Sequence, residues 1–164
     1  MKWLSHITAI IVMLAALGAG ITACSDDSCY DNGSSLPLAT FYLGEKQQVI
    51  NALTIKGIGV PGDSLLADST SLSEVYLPLR ATVNSTAFAL SRWVTIGSER
   101  HCIYDTLTIN YQPIEFFHSV ECGAMYNFKV EKITNTTHGI DSVVLINSLI
   151  TSKITPSIRI YFTE

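Results

Sequence analysis

Ile103-Tyr104-Asp105-Thr106-Leu107-Thr108-Ile109-Asn110-Tyr111 alternates large apolar side chains with polar ones. Successive side chains of a strand point to opposite faces. Ile103, Leu107, Ile109 and Tyr111 therefore share one face, with Thr106, Thr108 and Asn110 on the other. Other runs repeat the pattern. Thr86 to Ile96 sets Phe88, Leu90, Val94 and Ile96 together, and Ser157 to Thr163 alternates Ile158, Ile160 and Phe162 with Ser157, Arg159 and Tyr161. Phe116 to Val130 carries Phe116, Val120, Tyr126, Phe128 and Val130 at even positions, with Gly123 as a bulge or break. Shorter runs lie near 38–43, 48–58, 74–80 and 142–150, bounded by Gly, Pro, Asn or Asp. About eight or nine strands with no sustained amphipathic helix predict an all-β fold. The expected architecture is an antiparallel two-sheet β-sandwich, immunoglobulin-like. The longest interruption, Gly59 to Glu74, reads as a surface loop.

The chain has 164 residues, one domain's worth. It is 48% hydrophobic and only 15% charged, which argues against intrinsic disorder. A net charge of −4 and a pI near 5.5 argue against a nucleic-acid partner, which selects for a basic face. Much of the mean hydropathy of +0.32 comes from the N-terminus. Met1 and Lys2 precede an apolar run from Ile7 to Gly20, too short for a comfortable transmembrane helix and suited to a secretory leader. Ile21-Thr22-Ala23-Cys24 resembles a bacterial lipobox, which implies cleavage before Cys24 and lipidation of its thiol, with acyl chains such as palmitate. Two or three acyl chains anchor a protein stably where one does not. The expected organisation is a lipoprotein signal peptide over 1–23, a lipidated tether over 24–35 and a single β-sandwich over 36–164. Ser25-Asp26-Asp27 looks like the acidic surface-export signal of Bacteroidota lipoproteins, which implies an outer-membrane protein facing outward.

With Cys24 lipidated, Cys29, Cys102 and Cys122 remain. An odd number in an oxidising compartment implies one disulfide and a spare thiol, or an intermolecular pair. Two pairings are open. Cys102 and Cys122 could face each other across a hairpin turning near Tyr111-Gln112-Pro113, or Cys29 could tie the tether to Cys122. The second closes a long loop, worth roughly 4–5 kcal/mol in the chain-entropy model, less any strain.

Further segments carry a family resemblance. They are Leu36-Pro37-Leu38-Ala39-Thr40-Phe41-Tyr42, then Gly57-Ile58-Gly59-Val60-Pro61-Gly62-Asp63, then Phe116-Phe117-His118-Ser119-Val120-Glu121-Cys122-Gly123-Ala124-Met125-Tyr126 and Ile158-Arg159-Ile160-Tyr161-Phe162. With the early Cys29, they resemble an uncharacterised lipoprotein family of gut-type Bacteroidota, a domain of unknown function, over nearly all of the mature chain. The resemblance implies a Cys29–Cys122 disulfide and makes Cys102 a departure from the pattern, a buried or partly covered thiol. It also points to an outer-membrane β-barrel protein as partner.

No chemistry-bearing motif stands out. Asp63, Asp68 and Glu74 share one loop region, but Ser28 to Gly33 lacks the ligand order of a calcium loop, so no metal site is expected. There is no Gly-x-Ser-x-Gly elbow, phosphate loop or dinucleotide fingerprint, and no cofactor is expected. His101 and Cys102 are sequence neighbours and point to opposite faces; His118 shares parity with Phe116 and Val120 and reads as a core or rim residue. Glu115, Glu121 and Glu131 read as the solvent face. Asp63-Ser64-Leu65 and Asp68-Ser69-Thr70 resemble the acceptor motif of Bacteroidota O-glycosylation, at Ser64 and Ser69. The expected function is a non-enzymatic accessory or structural lipoprotein, anchored to the outer membrane through Cys24 and partnered by another outer-membrane protein. The alternative is a surface module binding a glycan or small ligand. An exposed aromatic cluster among Trp93, Tyr76, Tyr104 and Tyr126 would favour the alternative, unless Trp93 packs between the sheets.

Overall fold

The computed structural model describes residues 35–60, 64–120 and 122–163. These form eleven strands and no helix: β1 (Leu38–Leu43), β2 (Lys46–Gln47), β3 (Ile50–Ile58), β4 (Leu65–Leu72), β5 (Glu74–Tyr76), β6 (Ser85–Ile96), β7 (Glu99–Ser119), β8 (Gly123–Asn135), β9 (Ile140–Leu145), β10 (Leu149–Ile150) and β11 (Pro156–Phe162). One sheet runs β2-β1-β11-β9, with β5 also paired to β1. The other runs β10-β8-β7-β6-β3-β4 and is antiparallel throughout. The expected two-sheet sandwich is present with eleven strands rather than eight or nine, because β2 and β10 are only two residues long and β4 lies in the stretch read as a loop. The expectation of antiparallel pairing fails at one place: β1 and β11 run parallel, Phe41 opposite Ile160.

Between the sheets, Phe41, Ile158, Ile160 and Phe162 from the smaller sheet join Leu53, Ile55, Phe88, Leu90, Leu107, Ile109 and Tyr111 from the larger in one buried cluster. The alternation read in 103–111 and 157–163 is therefore the core face of β7 and β11. Phe41 and Phe162 meet edge to face at 5.6 Å, as do Tyr111 and Phe128 at 5.3 Å.

The chain moves repeatedly from one sheet to the other, and a buried tyrosine holds one of these crossings. Tyr111 is fully buried on β7. Its hydroxyl accepts the Arg80 N–H at 3.0 Å, donates to the Arg80 carbonyl at 2.9 Å and lies 2.7 Å from the buried Thr86 hydroxyl. This phenol, with the Tyr111 N–H donating to Asn84 O at 2.9 Å, pins the segment from Leu77 to Asn84, between β5 and β6, to the larger sheet.

Several boundaries differ from the sequence reading, each for a physical reason. No turn occurs near residue 112; β7 continues through Gln112 and Pro113 for 21 residues in all. Pro113 is tolerated because β6 ends at Ser85, opposite Asn110, so beyond that point β7 has β8 on one side and an open edge on the other. The reversal lies instead between Ser119 and Gly123, where Gly123 takes a φ of 69° that favours glycine. Phe116 therefore pairs with Met125, whereas Phe128 pairs with Pro113; Phe116 and Phe128 fall on opposite faces rather than one. The stretch from 59 to 74 is mostly strand: β4 fills Leu65–Leu72, with bulges against β3 where Ala52 and Ser69 take φ of 52° and 46°.

Replacing Tyr111 by Phe leaves the Thr86 hydroxyl and the Arg80 N–H without their shared partner. A loss of about 1–3 kcal/mol is expected. It should appear in urea denaturation as a lower midpoint with an unchanged slope.

Candidate functional site

Two constellations stand apart from the apolar core. The first is built around Asp105, which occupies the core face of β7 between Ile103 and Leu107 and is 3% exposed. One carboxylate oxygen accepts from the Thr136 hydroxyl at 2.7 Å and the His138 N–H at 2.9 Å. The other accepts from the N–H groups of Gly139 at 2.7 Å and Ile140 at 3.0 Å. The segment joining β8 to β9 thus wraps its amides around one carboxylate. A Cβ on Gly139 would lie 2.7 Å from Ile103 Cγ2 and 3.3 Å from Asp105 Oδ2, so the close approach requires glycine. Burial alone would raise the Asp105 pKa, but the bonds from Thr136, His138, Gly139 and Ile140 outweigh it and hold the carboxyl below its ordinary 3.8.

Arg92 on β6 extends the network. Its guanidinium donates to the Thr163 carbonyl at 2.6 Å and lies over the Phe162 ring at 5.3 Å. Thr163 in turn donates its N–H to Gly139 O at 3.0 Å. Burial lowers the Arg92 pKa, opposed by the charge of Asp105. A cavity of about 10 Å³ between Arg92, Asp105, Gly139 and Phe162 has room for one water molecule and nothing larger. A carboxylate offers about four acceptor positions. Asp105 has four donors at 3.0 Å or less, and the exposed His138 ring meets it through Nδ1 at 3.3 Å, so the carboxylate serves as an anchor.

The second constellation is exposed. Beyond the core, β6 and β7 project as a hairpin closed by Gly97-Ser98. Register places Ser91 opposite Tyr104 and Trp93 opposite Cys102, so Trp93, Tyr104, Cys102 and Arg100 share the face directed away from the core. Trp93 is 48% and Tyr104 56% exposed. The Arg100 guanidinium lies over the Trp93 ring at 5.3 Å. Trp93 therefore does not pack between the sheets. Val94 and Ile96, expected with Phe88 and Leu90 in the core, instead lie along the projecting part, and Ile96 is exposed.

The other sequence-predicted positions fall as follows. Cys24 and Cys29 lie outside the described residues, as does Asp63. Cys122 lies in the β7–β8 turn, half-buried, its N–H donating to Ser119 Oγ at 3.1 Å. Cys102 is a free, exposed thiol at the other end of β7, which corrects its assignment as covered. A disulfide needs Cα atoms within about 7 Å, so Cys102 cannot bridge to Cys122 across this strand. Ser64 and Ser69 are exposed, Ser69 on β4 rather than in a loop. His118, expected in the core or rim, is exposed and meets Phe116 edge-on at 6.1 Å. Tyr126 lies on the β7–β8 hairpin and Tyr76 in the smaller sheet, so only Trp93 and Tyr104 of the four aromatic candidates come together. No group of three or more His, Cys, Asp or Glu residues suited to a metal ion occurs among the described residues.

Asp105, Arg92 and the Tyr111 hydroxyl are the positions that sequence reasoning missed. Asp105 carries a legible signal, since its odd parity sets it among Ile103, Leu107 and Ile109.

A family model described as "Family of unknown function (DUF6452)" matches residues 52–162. No curated protein and no solved structure matches the chain.

Replacing Asp105 by Ala orphans two buried N–H groups, those of Gly139 and Ile140, and the part-buried His138 N–H and Thr136 hydroxyl. The expected loss is roughly 3 kcal/mol or more, at 1–3 kcal/mol for each buried unpaired group. Because the folded-state pKa of Asp105 lies below its unfolded value, its contribution is complete above that unfolded value and is lost as pH falls through the folded one. Denaturation midpoints taken from pH 7 downward should show an acid-side decline that is shallower in Asp105→Asn. A wild-type slope retained in the variant would assign the decline to other carboxylates.

Proposed function

The chain belongs to the family of unknown function (DUF6452), and we propose that it is a non-enzymatic, lipid-anchored outer-membrane protein that docks another outer-membrane protein through its β6–β7 hairpin. The observation that carries this reading is the exposed Trp93, Tyr104 and Arg100 on one face of that hairpin. Trp, Tyr and Arg are the side chains that dominate binding energy at protein interfaces. The Arg100 guanidinium over the Trp93 ring holds two of the three in place before docking, which lowers the entropy lost. A β-barrel protein is the proposed partner, displayed with this chain on the cell surface.

Several features support the rest of the reading. Ile21-Thr22-Ala23-Cys24 supplies the lipidation motif and Ser25-Asp26-Asp27 the export signal. The distance between Cys102 and Cys122 along β7 leaves Cys29 as the disulfide partner proposed for Cys122. Ser64 and Ser69 are accessible to a glycosyltransferase. The buried carboxylate of Asp105 is occupied in holding a crossover, which is consistent with the proposed non-enzymatic role.

The aromatic face also favours a second reading, a platform for a glycan, since sugar faces stack on rings. The two readings separate in one experiment. A photo-crosslinking residue at Trp93 in living cells should capture a single outer-membrane protein, and the adduct should disappear with Tyr104→Ala. If no protein is captured, and oligosaccharides change the fluorescence of Trp93, the glycan reading replaces the first. Trp3 lies in the leader, so Trp93 is the reporter in the processed chain.

A further inference from the structure

The opposite end of β7 carries a different surface. Past Tyr111, β7 pairs only with β8, and β10 reaches β8 only at Phe128 and Lys129. The residues from Gln112 to Ser119 and from Gly123 to Asn127 therefore form a two-stranded ribbon that extends past the other strands of the larger sheet and on one side faces Ser35, Leu36, Leu79 and Ala81 across a cavity. Such ribbons are marginal alone in water and usually rest on something. Both faces carry apolar side chains among polar ones such as Gln112, Glu115 and His118, with Phe116 and Met125 half-buried. Phe117 opposes Ala124 on one, and Phe116 opposes Met125 on the other. Phe117 is 70% exposed, and Val120 in the turn is 86% exposed. A ribbon with one polar and one apolar face would suit a partner on one side. Apolar groups on both faces and at the turn suit a medium that surrounds the tip.

The tether meets the body at this same place. Ser35 is buried, and its hydroxyl donates to Asn127 Oδ1 at 2.9 Å. Ser35 and Leu36 line a cavity of about 310 Å³ together with Cys122, Ala124 and Tyr126 of the ribbon. Ten residues lie between Cys24 and Ser35, and the eleven steps span at most about 40 Å when fully extended.

We infer that the β7–β8 tip, Phe116, Phe117, Val120 and Met125, rests in the lipid surface into which the acyl chains on Cys24 insert. This rests on the lipid anchor proposed above. Contact is shallow: Glu115 and His118 are exposed on the same ribbon and stay among the headgroups. Tyr126, with a polar hydroxyl on an apolar ring, suits that boundary. The domain is then oriented as well as tethered, with the β6–β7 hairpin directed away from the bilayer.

The test uses the full-length lipidated protein in vesicles of brominated phosphatidylcholine, which quenches tryptophan on contact. The wild type reports from Trp93 alone, up to about 50 Å along β7 from Phe117 at roughly 3.3 Å per residue. The Trp93→Phe/Phe117→Trp variant reports from the tip; both altered positions are exposed, and circular dichroism checks its folding. Trp93→Phe/Val120→Trp is the second reporter. The expected result is loss of most emission from both tip variants and none from the wild type. With acylation of Cys24 confirmed by intact mass, unquenched tip variants overturn the tip contact and leave the anchor standing. Quenching of the wild type as well overturns the orientation. A mass without acyl chains overturns the anchor and this inference with it. Benzoylphenylalanine at Phe117 in cells should yield lipid adducts, and a stoichiometric protein adduct would assign the tip to a protein partner instead.

Discussion

A single buried carboxylate decides how the two sheets are joined. The chain leaves the larger sheet after β8 and enters the smaller at β9, and a crossing segment exposes backbone donors with no ladder to satisfy them. Asp105 satisfies three such donors in succession, at His138, Gly139 and Ile140. Gly139 completes the network by accepting from Thr163, which follows β11, while Thr163 accepts from Arg92 on β6. Strands from both sheets thus converge on one acid. Six residues along β7, the Tyr111 hydroxyl does the same for the crossing before β6. Burying polar groups is costly unless they are paired. Both groups are paired to backbone of a different segment, so each fixes topology as well as contributing stability.

These two anchors let β7 be longer than the core it crosses. Its 21 residues pass through the sandwich between Asp105 and Tyr111 and extend beyond it at both ends. The ends differ chemically. One carries Trp93, Tyr104 and Arg100 on a single face, and the other carries Phe116, Phe117, Val120 and Met125 around a ribbon. A one-faced cluster with a cation suits a shaped partner. A tip with exposed Phe117 and Val120 beside half-buried Phe116 and Met125 suits a lipid surface. The two proposals follow from this difference, and they use opposite ends of the same strand.

The core was legible in the sequence because a strict two-residue period survives wherever both neighbours of a strand are in place. Leu107, Ile109 and Tyr111 are buried, as are Ile158, Ile160 and Phe162. The same period misled where the surroundings changed. Val94 and Ile96 continue the alternation of β6 past the edge of the opposing sheet, so no core meets them. Pro113 reads as a turn signal, yet a strand edge without a neighbour accepts it. Residues 116 to 130 look like one alternating strand because a short turn can join two strands without interrupting parity. The short strands β2 and β10 are invisible to periodicity altogether. Asp105 is legible by its phase: an acid in step with a buried apolar row must either break the strand or find partners, and here it finds a hydroxyl, three backbone N–H groups and the His138 ring.

Exposed apolar surface is the remaining feature to be placed. Seven of the fifteen large hydrophobic residues exposed among the described residues, Trp93, Ile96, Tyr104, Ile114, Phe117, Val120 and Tyr126, lie on the two projecting hairpins, and the other eight are spread over the rest of the surface. Scattered apolar residues need no explanation, but clusters at the ends of a rigid strand do. A freely diffusing protein bearing them would be prone to associate, and open strand edges on the ribbon would add to that tendency. A chain held at a membrane by acyl groups meets a restricted set of surfaces in a restricted set of orientations. The proposed anchor at Cys24 would then suppress the encounters that make such hairpins a liability, and would present one end to lipid and the other to a partner.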